Sequence, residues 1–109
     1  MSYSKDLVAA SANALVLSLL RHGDSYGYEL IQKMSALSGG KLNWAEGMLY
    51  PLLHRMAQRE LIESYWGRAD NGRRRKYYRI TAAGEAALQQ QRNHWREMTD
   101  FLARAGQSS

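Results

Sequence analysis

Arg68-Ala69-Asp70-Asn71-Gly72-Arg73-Arg74-Arg75-Lys76-Tyr77-Tyr78-Arg79 is the stretch that decides how this chain folds. It holds six basic residues (Arg68, Arg73, Arg74, Arg75, Lys76 and Arg79) against one acid, Asp70. Their balance of +5 equals the formal net charge of the whole chain, because the remaining nine basic and nine acidic residues cancel. The protein is therefore a neutral body with one basic projection. Asn71-Gly72 is a two-residue hairpin-turn signal, since both central residues of such a turn must accept φ > 0. Strands are expected on either side, at about residues 62–66 and 76–80. A basic hairpin tip suits a polyanion, and the commonest one for such a device is DNA. A charged hairpin that only guards an edge strand against aggregation would look the same. What precedes the hairpin separates the two readings.

Upstream, the apolar spacing is helical three times over. Residues 5–21 contain Leu7, Val8, Ala14, Leu15, Val16, Leu17, Leu19 and Leu20, and the second half shows almost no polar surface. A helix apolar nearly all round needs cover on more than one side, and in so short a chain a second subunit could supply it. Gly23 is expected to stop this helix at a C′ position. Ser25 is expected to cap a second helix over residues 26–37, with Leu30, Ile31, Met34 and Leu37 inward. Asn43 followed by Glu46 reads as a capping box, which starts a third helix near Trp44. That helix runs to about residue 59, with Leu49, Leu52, Leu53 and Met56 on its inner stripe. Pro51 inside it costs roughly 3 kcal/mol. Gly47, four residues back, can relieve the ring clash, so a bent single helix is expected. Thr81 caps a last helix over residues 82–105. Leu88, Trp95, Met98 and Leu102 follow a heptad seam there, interrupted by Gln91 and flanked by Phe101.

Helix, helix, helix, basic hairpin, long helix is the order of a winged helix-turn-helix followed by a dimerisation helix. The expected fold is thus mainly α with a small β-hairpin. Residues 1–80 form the DNA-binding region, residues 81–105 the dimerisation helix and residues 106–109 a disordered tail. The third helix would present its N-terminal half to the major groove, and the hairpin would be the wing. By helical spacing Glu46, Gly47, Tyr50 and His54 face the DNA, with Met48 beside them, reading bases or packing. Arg73, Arg74, Arg75 and Lys76 of the wing reach phosphates or the minor groove. Tyr26, at a helix N-terminus, has two readings: a phosphate contact or a partly buried core tyrosine. Tyr77 and Tyr78 alternate across a strand and are structural. Trp66 is assigned to packing, and Trp44 receives no function.

Composition narrows the classes further. A chain of 109 residues is one domain. With no cysteine it has neither disulfides nor thiolate metal sites. His22, His54 and His94 share no ligand spacing, so neither metal nor cofactor is expected. The N-terminus lacks a signal-peptide plan and no apolar run could span a bilayer, so a soluble cytoplasmic protein is expected. No nucleophile is paired with a base and no glycine-rich phosphate loop is present, so no catalytic residue is assigned.

Several blocks together resemble a known family. Tyr26-Gly27-Tyr28-Glu29-Leu30, then Gly47-Met48-Leu49-Tyr50-Pro51-Leu52-Leu53-His54-Arg55-Met56, then Glu60-Leu61-Ile62, then Gly72 through Gly84 with Arg-Arg-Arg-Lys-Tyr-Tyr-Arg-Ile-Thr at its centre, resemble the PadR family of bacterial transcriptional regulators. The single C-terminal helix is similar to that of the short subfamily. The resemblance implies a homodimeric repressor on a pseudo-palindromic operator of double-stranded DNA. It also implies a flat small-molecule effector held between subunits by a tryptophan and its symmetry mate. Trp95 falls at that position and Leu88 at another pore-lining one. Gln91 and Arg92 stand where small or apolar residues would line the pore, which leaves two expectations: a planar effector with polar or anionic groups, or no effector. Trp95 itself has two readings, dimer core or stacking surface. The rival functions are a protein-interaction module that sets the basic hairpin on an acidic partner, and a small-molecule sequestering protein.

Overall fold

Apolar faces of three helices converge on one core, and a twisted hairpin closes it. The computed structural model describes the backbone of residues 5–107 and the side chains of residues 11–107. Its elements are α1 (Lys5–His22), β1 (Ser25–Tyr26), α2 (Gly27–Leu37), α3 (Glu46–Gln58), β2 (Ile62–Arg68), β3 (Arg74–Ile80) and α4 (Ala82–Gln107). The strands form one antiparallel sheet in the order β1-β3-β2. Four helices around a small sheet, with a long C-terminal helix, is the expected winged helix-turn-helix class.

The core is built from the stripes that the periodicity marks. Val16, Leu17 and Leu20 of α1 meet Leu30 and Met34 of α2 and Leu49, Leu52, Leu53 and Met56 of α3. Ile62 and Tyr78 of the sheet and Leu88 of α4 complete it. No residue from Ser11 to Leu20 is exposed, as an all-round apolar helix requires. The side chains of Leu7 and Val8 lie outside the described residues. Truncating a fully buried member such as Leu53 to Ala costs about 2–5 kcal/mol. Trp44 joins this core at 5 % exposure, whereas Leu37, expected inward, is 61 % exposed at the end of α2.

Two expected caps are replaced by other contacts. Ser25 does not cap α2, because it pairs with Tyr78 as part of β1, a strand the sequence reading lacks. Its buried hydroxyl accepts a hydrogen bond from Lys33 Nζ at 2.7 Å. Asn43 does not form the capping box either. Its amide donates to the Gly40 carbonyl at 2.6 Å and its Oδ1 accepts from the Ser35 hydroxyl at 3.1 Å, so it braces the α2–α3 linker. α3 starts later, at Glu46, and continues unbroken through Pro51. Gly47, whose carbonyl the proline leaves unpaired, is exposed to solvent.

Turns on either side of the hairpin are tightly specified. The loop is one residue longer than the two-residue turn expected. Gly72 N–H donates to the Ala69 carbonyl at 2.9 Å, and Ala69 N–H donates to Arg73 at 3.0 Å. Only Gly72 takes a positive φ, of 81°. That is a turn closed by a glycine bulge, so Asn71 needs no left-handed backbone. Its side chain instead accepts from Arg73 N–H at 3.0 Å. At the other end Thr81 caps α4 as expected, its hydroxyl accepting from Gly84 N–H at 3.0 Å. The same hydroxyl donates to the Glu60 carbonyl at 2.6 Å and so ties the start of α4 to the α3–β2 turn. α4 extends to Gln107, so Gly106 and Gln107 are helical rather than part of a disordered tail. Ser108 and Ser109 lie outside the described residues.

Candidate nucleic-acid interface

α3 divides cleanly into two faces. Leu49, Leu52, Leu53 and Met56 are buried, which turns Glu46, Gly47, Met48, Tyr50, Pro51, His54 and Arg55 to solvent. Every reader residue expected from helical spacing is on that exposed arc. Arg55 lies there too, one turn beyond Pro51. It stands beside His54 and adds a cation to the exposed side of the helix. Tyr50 is 42 % exposed and Met48 38 %.

The hairpin sorts its side chains by strand alternation. Trp66 pairs with Lys76 and Arg68 with Arg74 on one face, continuous with Tyr78 and Ile80 of the core side. Tyr65 pairs with Tyr77 and Glu63 with Arg79 on the other. On that second face the Tyr65 and Tyr77 rings stack at 5.7 Å, and Tyr26 meets Tyr77 edge-on at 5.4 Å. Arg79 sits 5.0 Å over Tyr65 and forms an ion pair with Glu63 at 2.9 Å. The Tyr65 hydroxyl donates to the Asp24 carboxylate, and this bond chiefly raises its pKa above the ordinary 10.0. Burial does the same for Tyr77 and Tyr78. This face is a brace. Tyr77 packs within this face and Tyr78 is buried on the other, so the structural assignment of both agrees with their packing.

The first face is open. Arg74 lies 4.8 Å over the ring of Trp66, which is 60 % exposed rather than packed away as expected. Lys76 lies 6.0 Å over Tyr78. Arg75 starts from the bracing face, but its guanidinium folds over the Tyr26 ring at 5.1 Å. Tyr26 is thus half-buried between Tyr77 and Arg75. Among the described residues, none of Arg73, Arg74, Arg75 and Lys76 forms an ion pair, unlike Arg79 and Lys33. Trp66, Arg74, Arg75 and Lys76 join Tyr26, Gly27, Tyr50 and Tyr78 around a cleft of about 360 Å³ between wing and reader. Unpaired cations beside stacking rings, adjoining an exposed helix face, can hold phosphates and read groove edges. Trp66, read from the sequence as packing, stands on this open face instead. Its alternation with Tyr65 and its pairing with Lys76 are the signals that place it on the open face.

The second expected site divides. Trp95 is 49 % exposed, and Met98, Phe101 and Leu102 continue the same apolar seam at 50, 51 and 68 %. Leu88, expected to line a pore with Trp95, is only 1 % exposed and packs in its own chain's core. The seam therefore starts one heptad later than expected, because the first turns of α4 are used against α1 and the hairpin. Gln91 and Arg92 are half-buried between the two regions, and Gln91 Oε1 is enclosed without a hydrogen-bond partner among the described residues. No three His, Asp or Glu residues come together to hold a metal among the described residues. No helix there is long and apolar enough to cross a membrane.

Known proteins share this architecture over nearly the whole chain. The chain is 30 % identical to a transcriptional regulator from Clostridium thermocellum, covering 94 % of this chain and 96 % of that one, with a TM-score of 0.82. It is 28 % identical to a PadR-like transcriptional regulator from Bacillus cereus, covering 96 % and 100 %, with a TM-score of 0.83. An uncharacterised protein from Lysinibacillus sphaericus is 33 % identical over 97 residues, 89 % of each chain. Residues 16–90, from the core of α1 through the wing to the start of α4, match the model of the PadR-like transcriptional regulator family. The chain therefore belongs to the PadR-like family of DNA-binding transcriptional regulators, which is not a family of enzymes.

Proposed function

We propose that the protein is a homodimeric repressor of the short PadR type that binds a pseudo-palindromic operator. Residues 1–80 supply the DNA-binding region and residues 81–105 the dimerisation helix. Two α3 helices enter successive major grooves about 34 Å apart. Glu46, Gly47, Met48, Tyr50 and His54 meet base edges, with Arg55 beside them. Arg73, Arg74 and Lys76 contact phosphates or the minor groove, while Arg75 and Tyr26 contact the backbone at the rim of the cleft. The observation that carries this reading is the cleft itself, which sets unpaired wing cations against the exposed side of α3. Selection of bound sequences from a random duplex pool, followed by footprinting, tests it. A palindromic consensus protected over two turns supports the reading, and unselective binding overturns it.

A second copy would cover Trp95, Met98, Phe101 and Leu102. Trp95, with Gln91 and Arg92 nearby, would then flank a site for a planar effector bearing polar or anionic groups. Such an effector acts only through unequal affinity for the DNA-bound and free arrangements. Titration of Trp95→Phe and Trp95→Ala with planar anionic aromatics, read by fluorescence and by release of operator, tests this. Ala should lose clearly more affinity than Phe, since ring stacking adds about 0.5–1.5 kcal/mol beyond area burial.

A further inference from the structure

Gly27 is the first residue of α2, and the phenol of Tyr50 from α3 lies directly against it. A Cβ on Gly27 would stand 2.5 Å from the Tyr50 hydroxyl oxygen and 2.7 Å from Cε1 and Cζ of its ring. These separations are far inside van der Waals contact, so the bare glycine backbone is the seat of the ring. The backbone of Gly27 does not itself demand glycine, because its φ is not in the left-handed region. Ala in a helix is intrinsically better than Gly by up to about 1 kcal/mol. The three atoms nearest to that Cβ all belong to Tyr50, so its ring is the first obstacle to a side chain here. Tyr50 is 42 % exposed and its neighbours on α3, Met48 and His54, are exposed too, so it can swing away without opening the core.

We infer that Gly27 is a positioning residue for operator specificity: it contacts no base, but it fixes the direction in which Tyr50 leaves the reader helix. This inference rests on the proposed role of Tyr50 at the DNA. Two features of the cleft make the direction matter. Tyr50 shares it with Arg74, Arg75 and Lys76, so a displaced ring would move within the space between reader and wing. Tyr50 is also close enough to Tyr78 for its hydroxyl to contribute to the raised pKa of that buried phenol. A side chain at residue 27 would push the ring from the glycine seat out toward solvent, where Tyr50 is already partly exposed. Base contacts that depend on one ring position are then lost, while the wing cations stay in place.

The test is a double-mutant cycle of Gly27→Ala and Tyr50→Ala in the full chain. It uses the duplex enriched by the wild-type protein and a random duplex of equal length. Gly27→Ala should reduce the ratio of operator to random affinity by about five- to hundredfold, the range for losing one specific base contact. Affinity for random DNA and its salt slope should stay at the wild-type value. In the Tyr50→Ala background the same Gly27→Ala change should cost no further preference, since the ring it displaces is gone. In the free protein, Gly27→Ala should shift the NMR signals of the Tyr50 ring and leave core methyl signals in place. Full preference retained in Gly27→Ala, with Tyr50→Ala impaired, overturns the inference and keeps the reader assignment. Tyr50→Ala without effect on preference removes the reader assignment and the inference together. An equal loss from Gly27→Ala in both backgrounds also overturns it, because the glycine would then act on the fold or on DNA independently of Tyr50.

Discussion

Trp66 and Trp95 are both large, exposed aromatics, and they stand in opposite company. Trp66 carries Arg74 over its face and pairs with Lys76, in the segment that holds the chain's whole net charge. Trp95 continues into Met98, Phe101 and Leu102, and beyond it Arg96 and Arg104 are balanced by Glu97 and Asp100. An aromatic ring is sequence-tolerant in what it stacks on; the charge beside it selects the partner. Cations without acids point Trp66 at a polyanion. An electroneutral apolar stripe points Trp95 at another protein surface. The two ends also differ in what they borrow from the fold. The wing is stiffened by a bracing face of three tyrosines and an ion pair, whereas the residues of α4 from Asn93 to Gln107 are all exposed.

The largest expected effect comes from removing the Trp95 end alone. A chain stopped after Arg92 keeps Leu88 and therefore keeps its core. It should sediment as a folded monomer and bind operator roughly 10²- to 10⁴-fold more weakly, because the two half-sites are no longer joined. A truncated chain that still sediments as a dimer, or binds operator as well as the full one, would break the contrast between the two ends. Neutralising the Trp66 end should act differently. Arg74→Ala with Lys76→Ala should leave the sedimentation coefficient unchanged and weaken operator and random DNA together. The slope of log affinity against log salt should fall by up to about 1.8, or 0.9 for each lost phosphate contact. An unchanged slope would show that these cations face solvent only.

How far this contrast was legible in the sequence depends on distance along the chain. The helices, the core stripes apart from Leu37, the Thr81 cap and the exposed arc of α3 follow from periodicity and local turn chemistry and are present. The misses come from partners that a cap or heptad motif does not show, remote in sequence for Ser25 and Leu88 and within the α2–α3 segment for Asn43. Ser25 and Asn43 look like caps because a cap needs only local residues. Ser25 is instead claimed by Tyr78 and Lys33, and Asn43 by Ser35 and Gly40. Leu88 looks like part of the α4 seam because a heptad is local. Its burial depends on α1, which is far away in sequence. Trp66 looks like core because tryptophan usually is, until the register with Lys76 fixes its face. The glycine seat under Tyr50 has no sequence signal, since nothing local relates residue 27 to residue 50.

Trp66→Ala gives a smaller and more pointed effect. It removes the ring under Arg74 without removing the charge. The contact is exposed, so about 0.5–1 kcal/mol of DNA affinity should be lost, with the salt slope retained. Trp95→Ala should instead weaken self-association and leave binding to short random duplexes unchanged. Exchange of these two outcomes would reverse the assignment of the two ends.

The smallest effect tests the brace behind Trp66. The Tyr65 hydroxyl donates to Asp24, and that bond, before burial, holds the phenol pKa above 10.0. An acid whose folded pKa is raised favours folding while it is protonated. Its contribution is complete below the unfolded value and is lost as pH rises through the higher folded value. Tyr77 and Tyr78, raised mainly by burial, add to the same trend. The melting temperature should therefore hold steady through neutral pH and fall as pH climbs above about 10, where an unperturbed tyrosine ionises. Tyr65→Phe cannot ionise and should make that fall shallower. It should also lower the melting temperature slightly at neutral pH, because the Asp24 carboxylate loses a donor. Tyr65 lies on the hairpin and not on α4, so self-association should not respond to this substitution at any pH. A Tyr65→Phe protein whose melting curve tracks the wild type at every pH would mean that the Asp24 bond braces nothing, and that the stacked rings alone hold the wing in place.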